Sequence, residues 1–387
     1  MMGKRHREDP GDPAAPSGSY YVPWWEDRVL RLGTDFSGLD VVVLVLRRLG
    51  VLFEHCFSSD SDPKVRALIQ HQHKPNILFE DVTARVTALC PAVDLYVLGP
   101  PCQTFSSAGK QAGTSDPRGQ LFLNGLDYVV LKRPRVVIFE NVPRITQHKN
   151  AVEVMFAVLD NADYKVWWQI LDSQDYGVPQ QRKRFYLVAV LITGNLEPFS
   201  FPGRLTQLTM TRLDDMIPRR RGGSPDWRPI PPRPRAASLV TIEYEKLAAK
   251  RINPYRTPVC VDTGGTPAWV YTSVGRVMTL TKSHCEAFSY WSSSKGDFLD
   301  VDDYTRLQGL DVGDLDWQGA GVTRRQFAGM LGNAMAANVL EFVIPCALKS
   351  AGMISNRRYI EMSQNSFRRW GRLRTHTVST AGSAATV

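Results

Sequence analysis

The chain has 387 residues, a formal net charge of +9 at pH 7 and 43% hydrophobic residues. This length and apolar content allow two domains with a full core, and no stretch approaches the roughly 18 consecutive apolar residues that a membrane span needs. The first residues lack the apolar segment of a signal peptide. The six cysteines are scattered without zinc-type pairs, which argues against a disulfide framework. We therefore expect an intracellular protein without a metal site or a membrane partner.

Two segments carry much of the basic charge. Eight Arg and three Asp lie between Arg204 and Arg235, and seven Lys or Arg with one acidic residue lie between Lys349 and the end. A basic excess fits a phosphate-rich partner such as a nucleic acid. Charge alone would favour a solvated surface, so a partner has to be inferred from the motifs.

The first strand, turn and helix are predicted near the start. Residues 29–36 predict a strand, Ser37–Asp40 a turn, and βαβ logic makes residues 41–49 the first helix, although their periodicity is ambiguous. A turn of this kind is either a tight connection or a place where a ligand approaches the backbone. The residues of the turn alone leave both interpretations open.

An acidic pair follows the second predicted strand, residues 51–57. An acid about 20 residues after the first turn of a βαβ unit can accept hydrogen bonds from ribose hydroxyls, and Asp60 has that position. Asp60 or Asp62 could instead cap the helix predicted to start near Pro63. We expect one aspartate to bind a ligand and the other to cap the helix.

The apolar run 95–98 predicts a buried strand that breaks at Gly99-Pro100-Pro101 and leads directly to Cys102. A lone cysteine is usually an inert, buried thiol. Here the two prolines narrow the freedom of the backbone. The position just beyond the carboxyl end of a strand is also where open α/β sheets bind their ligands. These features favour a reactive thiol at position 102.

Four further stretches accompany this one, in the order 34–40, 135–142, 175–186 and 332–339. Together with the Cys102 stretch they resemble the cytosine-C5 DNA methyltransferases, over about residues 30–345 apart from a variable middle segment. The Pro-Cys-Gln, Glu-Asn-Val and Gln-x-Arg-x-Arg elements are specific in combination, although each would be weak alone. The resemblance implies an α/β fold: a Rossmann-like S-adenosylmethionine-dependent methyltransferase sheet with helices on both faces, plus a smaller irregular target-recognition domain.

The composition and the resemblance together predict five segments. From about 193 to 271 the strand and helix rhythm dissolves, and regular structure is expected to resume near Arg276. This stretch could be a disordered linker, but its aromatic residues favour a small domain that faces DNA: Trp227, Tyr244, Tyr255 and Trp269. The predicted segments are a disordered start (1–25), the first part of a catalytic and cofactor-binding domain (26–194), a target-recognition domain (195–275), a return to the catalytic domain (276–348) and a loosely ordered basic tail (349–387).

The resemblance also implies a reaction, the transfer of a methyl group from S-adenosylmethionine to C5 of a cytosine flipped out of double-stranded DNA. In that reaction Cys102 adds to C6 of the ring, Glu140 holds or protonates N3 with a raised pKa, and Arg184 holds O2. Arg182 would hold a phosphate or brace the loop, and Asn141 would fix the loop that carries Cys102. The loop of residues 104–120 is expected to close over the DNA.

The implied cofactor contacts lie at strand ends and in the late motif. Asp40 replaces a glycine that the commonest form of the first motif carries, which puts the geometry of that turn in question. Asn333 belongs to an element expected to open a helix through Val343, but it could equally be a helix cap. The implied contacts are Phe36, Ser37, Gly38, Leu39, Asp60, Asp81, Val82, Gly99, Pro101, Asn333 and Ala334.

Two alternatives stay open at this point. A tRNA cytosine-5 methyltransferase would use the same cysteine and glutamate with a different recognition surface, and the basic middle segment favours DNA over it. A catalytically silent DNA-binding relative is disfavoured because Cys102, Glu140 and Arg184 are intact. We expect a monomer, located in the nucleus of a eukaryote and otherwise in the cytoplasm.

Overall fold

The computed structural model describes residues 28–101, 117–193, 196–205, 212–217, 228–266 and 268–371, with the backbone alone for 117–120 and Ala151. Within these described residues, seven strands form the main sheet, and four α-helices lie between them in the sequence. The strands are β1 (Leu30–Asp35), β2 (Phe53–Ser59), β3 (Ile77–Phe79), β4 (Leu95–Leu98), β5 (Val136–Asn141), β6 (Tyr164–Asp172) and β7 (Lys183–Leu191). The helices are α1 (Val41–Arg48), α2 (Pro63–Gln72), α3 (Pro117–Lys132) and α4 (Lys149–Asn161).

The strand order is β3-β2-β1-β4-β5-β7-β6. All neighbours are parallel except β7, which runs antiparallel to both β5 and β6. The carboxyl ends of β1 to β5 therefore meet the amino end of β7 at one edge of the sheet. We call this edge, the usual ligand-binding edge of open α/β sheets, the active-site edge.

The central strands β4, β5 and β7 are buried on both faces, which explains why their apolar residues run continuously rather than alternating with polar ones. In β5, Val136 and Ile138 belong to the core on one face, with α1 and α2, while Val137 and Phe139 belong to the core on the other, with α3 and α4. This is the predicted α/β sheet with helices on both faces.

A second, smaller sheet has the order β11-β10-β8-β9, and all its neighbouring strands are antiparallel. Helix α6 covers one face through Val240, Tyr244 and Leu247. The prediction that regular structure resumes only near Arg276 is therefore wrong, because two helices and two strands precede that residue. The elements are α5 (Leu213–Met216), α6 (Pro234–Ala249), β8 (Val259–Thr266), β9 (Trp269–Val274), α7 (Lys282–Glu286), β10 (Tyr290–Ser292) and β11 (Asp297–Phe298).

Four helices complete the described chain: α8 (Val301–Leu307), α9 (Arg324–Asn333), α10 (Ala337–Ser350) and α11 (Asn356–Trp370). Two expectations fail here. Asn333 ends α9 instead of opening a helix, and the next helix starts at Ala337. Residues 356–370 are a packed helix rather than a loose arm, because Trp370 is buried and donates to Glu341 Oε2 at 2.7 Å.

No single helix among the described residues is long and apolar enough to cross a membrane. By length and composition alone, α9 and α10 would pass only as a pair bent by 43°.

Candidate active site

The turn after β1 is held by the end of β2. The backbone N–H of Ser37 donates to Ser59 O at 2.9 Å, and that of Gly38 donates to Asp60 Oδ2 at 3.0 Å. Gly38 has a φ of 55°, and a Cβ there would meet no described atom within 4 Å. The turn therefore presents an accessible, left-handed backbone at the active-site edge, as a backbone-bound ligand requires.

The two aspartates after β2 have different surroundings. Asp62 Oδ1 accepts the N–H of Lys64 at 2.8 Å and caps α2, which begins with Pro63. Asp60 accepts N–H groups from Gly38 and from Asp62, and burial raises the pKa of its carboxyl. The expected cap is thus confirmed for Asp62. Ligand binding by Asp60 stays a prediction.

Asp40, which stands where the family usually has glycine, has a left-handed backbone with a φ of 51°. Aspartate tolerates this region better than most residues. Its buried carboxylate turns inward, accepts from Ser58 Oγ at 2.5 Å and lies 3.2 Å from His55 Nε2. Burial alone would raise the pKa of Asp40, but the two nearby histidines, His55 and His73, bring it below its usual value. The substitution therefore preserves the turn and fastens it to β2.

A buried ion pair that the sequence did not reveal lies beside this turn. The Arg85 guanidinium binds both carboxylate oxygens of Asp35, at 2.5 Å from Nη1 to Oδ1 and also through Nη2, and Tyr96 donates to the same carboxylate. Both charged side chains are almost fully buried. The pair connects the end of β1 to the segment after β3. A lone arginine in a loop offered no signal for it.

The segment after β3 contains two predicted cofactor contacts. Asp81 is exposed and its Oδ1 accepts both the N–H and the hydroxyl of Thr83 at 2.8 Å, while Val82 is buried. Arg85 follows in the same segment. Its pair with Asp35 therefore fixes the position of Asp81 and Val82 relative to β1.

The end of β4 is closely packed. A Cβ at Gly99 would lie 2.8 Å from Met335 Cε, so a larger residue would displace that side chain. Met335 also lines a small cavity with Asp35, Ser37 and Asp40. Sequence reasoning missed Met335, although it directly follows the predicted contact Ala334.

Glu140 and Arg184 meet where β5 and β7 pair. Arg184 Nε lies 3.2 Å from Glu140 Oε1, and both side chains are largely buried. Burial raises the pKa of Glu140, and the nearby Arg184 and Arg182 offset part of that rise. Among the described residues, Oε1 has no partner with hydrogen-bond geometry. The arrangement offers a buried carboxyl group whose Oε1 is available to a ligand.

Asn141 connects β5 to the end of β4. Its side-chain N–H donates to Pro100 O at 2.8 Å, and its Oδ1 accepts the N–H of Val142. Pro100 lies two residues before Cys102. This is the contact expected of a residue that fixes the cysteine-bearing segment. Cys102 itself and residues 103–116 lie outside the described residues.

Arg182 has a different environment from Arg184. Its side chain is buried and donates to Leu280 O at 2.9 Å and Ala334 O at 2.6 Å, with a longer bond to Gly332 O. Burial and the neighbouring Arg184 lower its pKa to about 9, so the guanidinium stays charged at neutral pH. The predicted phosphate contact is wrong for this position. Arg182 braces the break between α9 and α10.

The remaining predicted cofactor residues lie around this edge. Phe36 has a φ of 55° and packs on the core with α3 and α4, and Leu39 is buried. Asn333 is exposed at the end of α9, and Pro101 is exposed after β4. Among the described residues, no three His, Cys, Asp or Glu side chains are grouped to share a metal ion.

The sequence of this chain also matches known proteins. The family model for the C-5 cytosine-specific DNA methylases matches residues 35–347. The type II methyltransferase M.HhaI of Haemophilus parahaemolyticus is 33% identical over 171 residues, 43% of this chain and 51% of that protein. M.Bsp6I of a Bacillus species is 30% identical over 193 residues, 49% of this chain and 60% of that protein. The chain thus spans about half the length of these curated relatives.

Solved structures support the fold. The Dnmt2 methyltransferase of S. pombe matches with a TM-score of 0.58 and 19% identity, covering 82% of this chain and 98% of that one. A DNA modification methyltransferase encoded in an E. coli prophage matches with a TM-score of 0.52 and 18% identity, covering 82% and 98%. At these identities the likeness concerns the fold alone.

Proposed function

Because the chain belongs to the C-5 cytosine-specific DNA methylase family, we propose that it transfers a methyl group from S-adenosylmethionine to C5 of cytosine in double-stranded DNA. The observation that carries this proposal is the environment of Glu140. Its buried carboxyl group has a raised pKa, and its Oε1, which lies beside Arg184, makes no hydrogen bond to any described residue; β5 is also next to the strand that leads to Cys102.

The chemistry needs these groups together because C5 of cytosine is a poor nucleophile. Addition of a thiolate to C6 moves ring electrons toward N3 and O2 and makes C5 enamine-like. We assign the thiolate to Cys102, since thiolates are intrinsically suited to such addition. After methyl transfer, loss of the C5 proton and β-elimination would release the thiolate and restore the aromatic ring.

Glu140 would act at N3 of the base. Burial raises the pKa of this carboxyl group, which favours its protonated form, so it would donate to N3 and transfer its proton as charge develops there. Arg184 would contact O2 and stabilise the same negative charge. Asn141 would hold the Pro100 carbonyl in position through its hydrogen bond. This would fix the direction from which Cys102 approaches C6.

The residues at the ends of β1 to β3 fit the methyl donor. Gly38 gives close access to the backbone, Asp60 offers carboxylate oxygens to ribose hydroxyls, and Asp81 lies at the next strand end. When bound there, S-adenosylmethionine supplies the electrophilic methyl group. The protein side of this site orients the donor and excludes water from the reacting atoms.

A cytosine inside a duplex hides C6 in the base stack, so this chemistry requires the base to be flipped out, at a cost of a few kcal/mol. The basic residues between Arg204 and Arg235 are consistent with a nucleic-acid partner. A structured RNA is the competing substrate, so the experiment below measures methyl transfer to tRNA as well as to DNA.

Methyl transfer should be measured with labelled S-adenosylmethionine on duplex DNA and on tRNA in parallel. Bisulfite sequencing of the DNA product then identifies the methylated cytosines. We expect label in DNA, at C5 of cytosine. Label confined to tRNA would replace the proposed substrate, and cofactor binding without transfer to either would favour a catalytically silent protein.

A further inference from the structure

Strand β9 presents two large aromatic side chains to solvent. Trp269 is 75% exposed and Tyr271 is 67% exposed, more than other aromatic residues that the structure describes. Among the strands that the structure describes, β9 pairs with β8 alone, so both residues lie on an edge strand. The hairpin is anchored by Arg235, whose Nη2 donates to Gly265 O at 3.0 Å. These rings therefore stand on a fixed support and are accessible to a partner.

The two aromatics face away from α6. The intervening residues of β9 contact α6: Val270 packs on its apolar core, and the Thr272 hydroxyl donates to Glu243 Oε2 at 2.7 Å. Because side chains alternate along a strand, Trp269 and Tyr271 point to the opposite face. Tyr271 is paired with Asp262, which is paired in turn with Tyr290.

That opposite face is the one that contacts the catalytic domain. Tyr290 is fully buried in the main core, against Tyr304 of α8. Trp269 and Tyr271 extend the same face beyond the covered part of the sheet.

A short chain of contacts connects this face to the active-site edge. Asp262 accepts from His284 Nδ1 at 2.5 Å, and α7, which contains His284, begins two residues after Leu280. Leu280 O in turn accepts from the buried Arg182. The two aromatics are therefore supported by the elements that also hold the motifs of the active site.

The net charge of the segment that contains the aromatics indicates which partner they suit. Between Arg228 and Arg276 there are eight Lys or Arg and three acidic residues, a net charge of about +5. Basic residues interleaved with exposed aromatics are the combination that binds nucleic acid, since the cations hold the backbone and the rings stack on bases. A second copy of this chain would bring the same excess of positive charge.

We propose that Trp269 and Tyr271 form a stacking surface for unpaired or partly unstacked bases of the DNA substrate. The inference rests on the proposed function. A duplex from which one base is flipped supplies such bases at the target site. Stacking there would hold the opened duplex against the catalytic domain.

The test compares Trp269→Ala, Tyr271→Ala and the double variant with the unchanged chain. Binding to a duplex is measured by fluorescence anisotropy at fixed salt, on matched DNA and on DNA with a mismatched target pair. At the known strength of base–aromatic stacking, each single variant should bind roughly 5- to 150-fold more weakly. The slope of log K against log salt should not change, because no phosphate contact is removed.

Tyr255→Ala is the matched control, since Tyr255 is exposed in the same region but packs against Tyr244 on the α6 side. It should bind within twofold of the unchanged chain, and Trp269→Phe should retain most of the affinity. Thermal melts establish that the exposed substitutions leave the fold intact. The KM for DNA should rise in the alanine variants while the KM for S-adenosylmethionine stays constant.

Outcomes separate this inference from the proposed function. If the chain methylates DNA and the double variant binds as tightly as the unchanged chain, the stacking surface is refuted and the function stands. A double variant that abolishes a dimer in sedimentation, without weakening DNA binding, would assign the surface to self-association instead. An unchanged chain that neither binds nor methylates DNA would overturn both.

Discussion

Replacement of Arg85 by glutamine tests how the cofactor end of the sheet is built. The guanidinium pairs with the buried carboxylate of Asp35 and lies 5.4 Å from the ring centroids of Phe57, Phe79 and Tyr128. Glutamine cannot neutralise the carboxylate, which would remain buried with the hydroxyls of Ser59 and Tyr96 as its side-chain donors among the described residues.

The expected destabilisation follows from that uncompensated charge. Removal of one partner of a buried ion pair costs about 3–5 kcal/mol. With an unfolding entropy of about 2.1 cal/mol/K per residue over roughly 310 described residues, 1 kcal/mol corresponds to about 1.5 °C. The melting temperature should therefore fall by about 5–8 °C. The KM for S-adenosylmethionine should rise as well, because the same pair fixes the segment of Asp81 and Val82.

Differential scanning calorimetry and steady-state kinetics measure the two effects. Arg133→Gln is the matched control, since Arg133 forms an exposed pair with Asp163 at 2.9 Å, and such pairs contribute about 0–1 kcal/mol. A melting temperature for Arg85→Gln within about 1 °C of the control would refute the reasoning.

Three further predictions concern the active-site edge. Glu140→Gln should lower kcat by about 10²–10⁴-fold with little change in the KM for S-adenosylmethionine, because an amide can bond to N3 but cannot give up a proton; a kcat within threefold in steady-state assays would contradict this role. Asn141→Ala should lower the free energy of unfolding by about 1–3 kcal/mol in urea titrations, because the buried Pro100 carbonyl loses its donor; an unchanged midpoint would count against it. Burial lowers the pKa of His73, so as the pH falls this imidazole is protonated in the unfolded chain before it is protonated in the folded one. The free energy of unfolding should therefore decrease below about pH 6.5, by up to about 1.4 kcal/mol per pH unit. His73→Gln should flatten that dependence between pH 7 and 5.5, and equal slopes in denaturant titrations would exclude His73 as its source.

The main sheet could be predicted because its signals are local. Apolar runs ended by Gly, Pro or acidic residues gave the strands, and βαβ logic gave α1. Short motifs at the strand ends predicted functional roles for Glu140 and Arg184, and the structure places these two side chains together at one edge of the sheet.

The failures have long-range causes. The tail contains many arginines, yet Glu341 in α10 accepts from Trp370, and Arg358 donates to Leu49 O and Gly50 O. No local pattern reveals that such charges will find partners more than 300 residues away. The same holds for Arg182, whose acceptors lie in segments about 100 and 150 residues later.

Aromatic residues in the middle segment also differ in solvent exposure, which composition cannot show. Tyr244, expected to face DNA, is buried in α6 and accepts from Trp291 Nε1 at 3.1 Å. Trp269 is exposed on an edge strand instead. Position 244 falls on the apolar stripe of a helix, which the expectation of irregular structure concealed. Trp227 lies outside the described residues.

Substitution of Cys102 by serine asks whether the sulfur at this position forms the bond to C6. The measurement pairs the initial rate of labelled methyl transfer to duplex DNA with calorimetric binding of S-adenosylmethionine. We expect transfer at background level with cofactor binding unchanged, because a serine hydroxyl does not supply the nucleophile that C6 requires. A Cys102→Ser chain that methylates cytosine at the original rate would contradict this expectation.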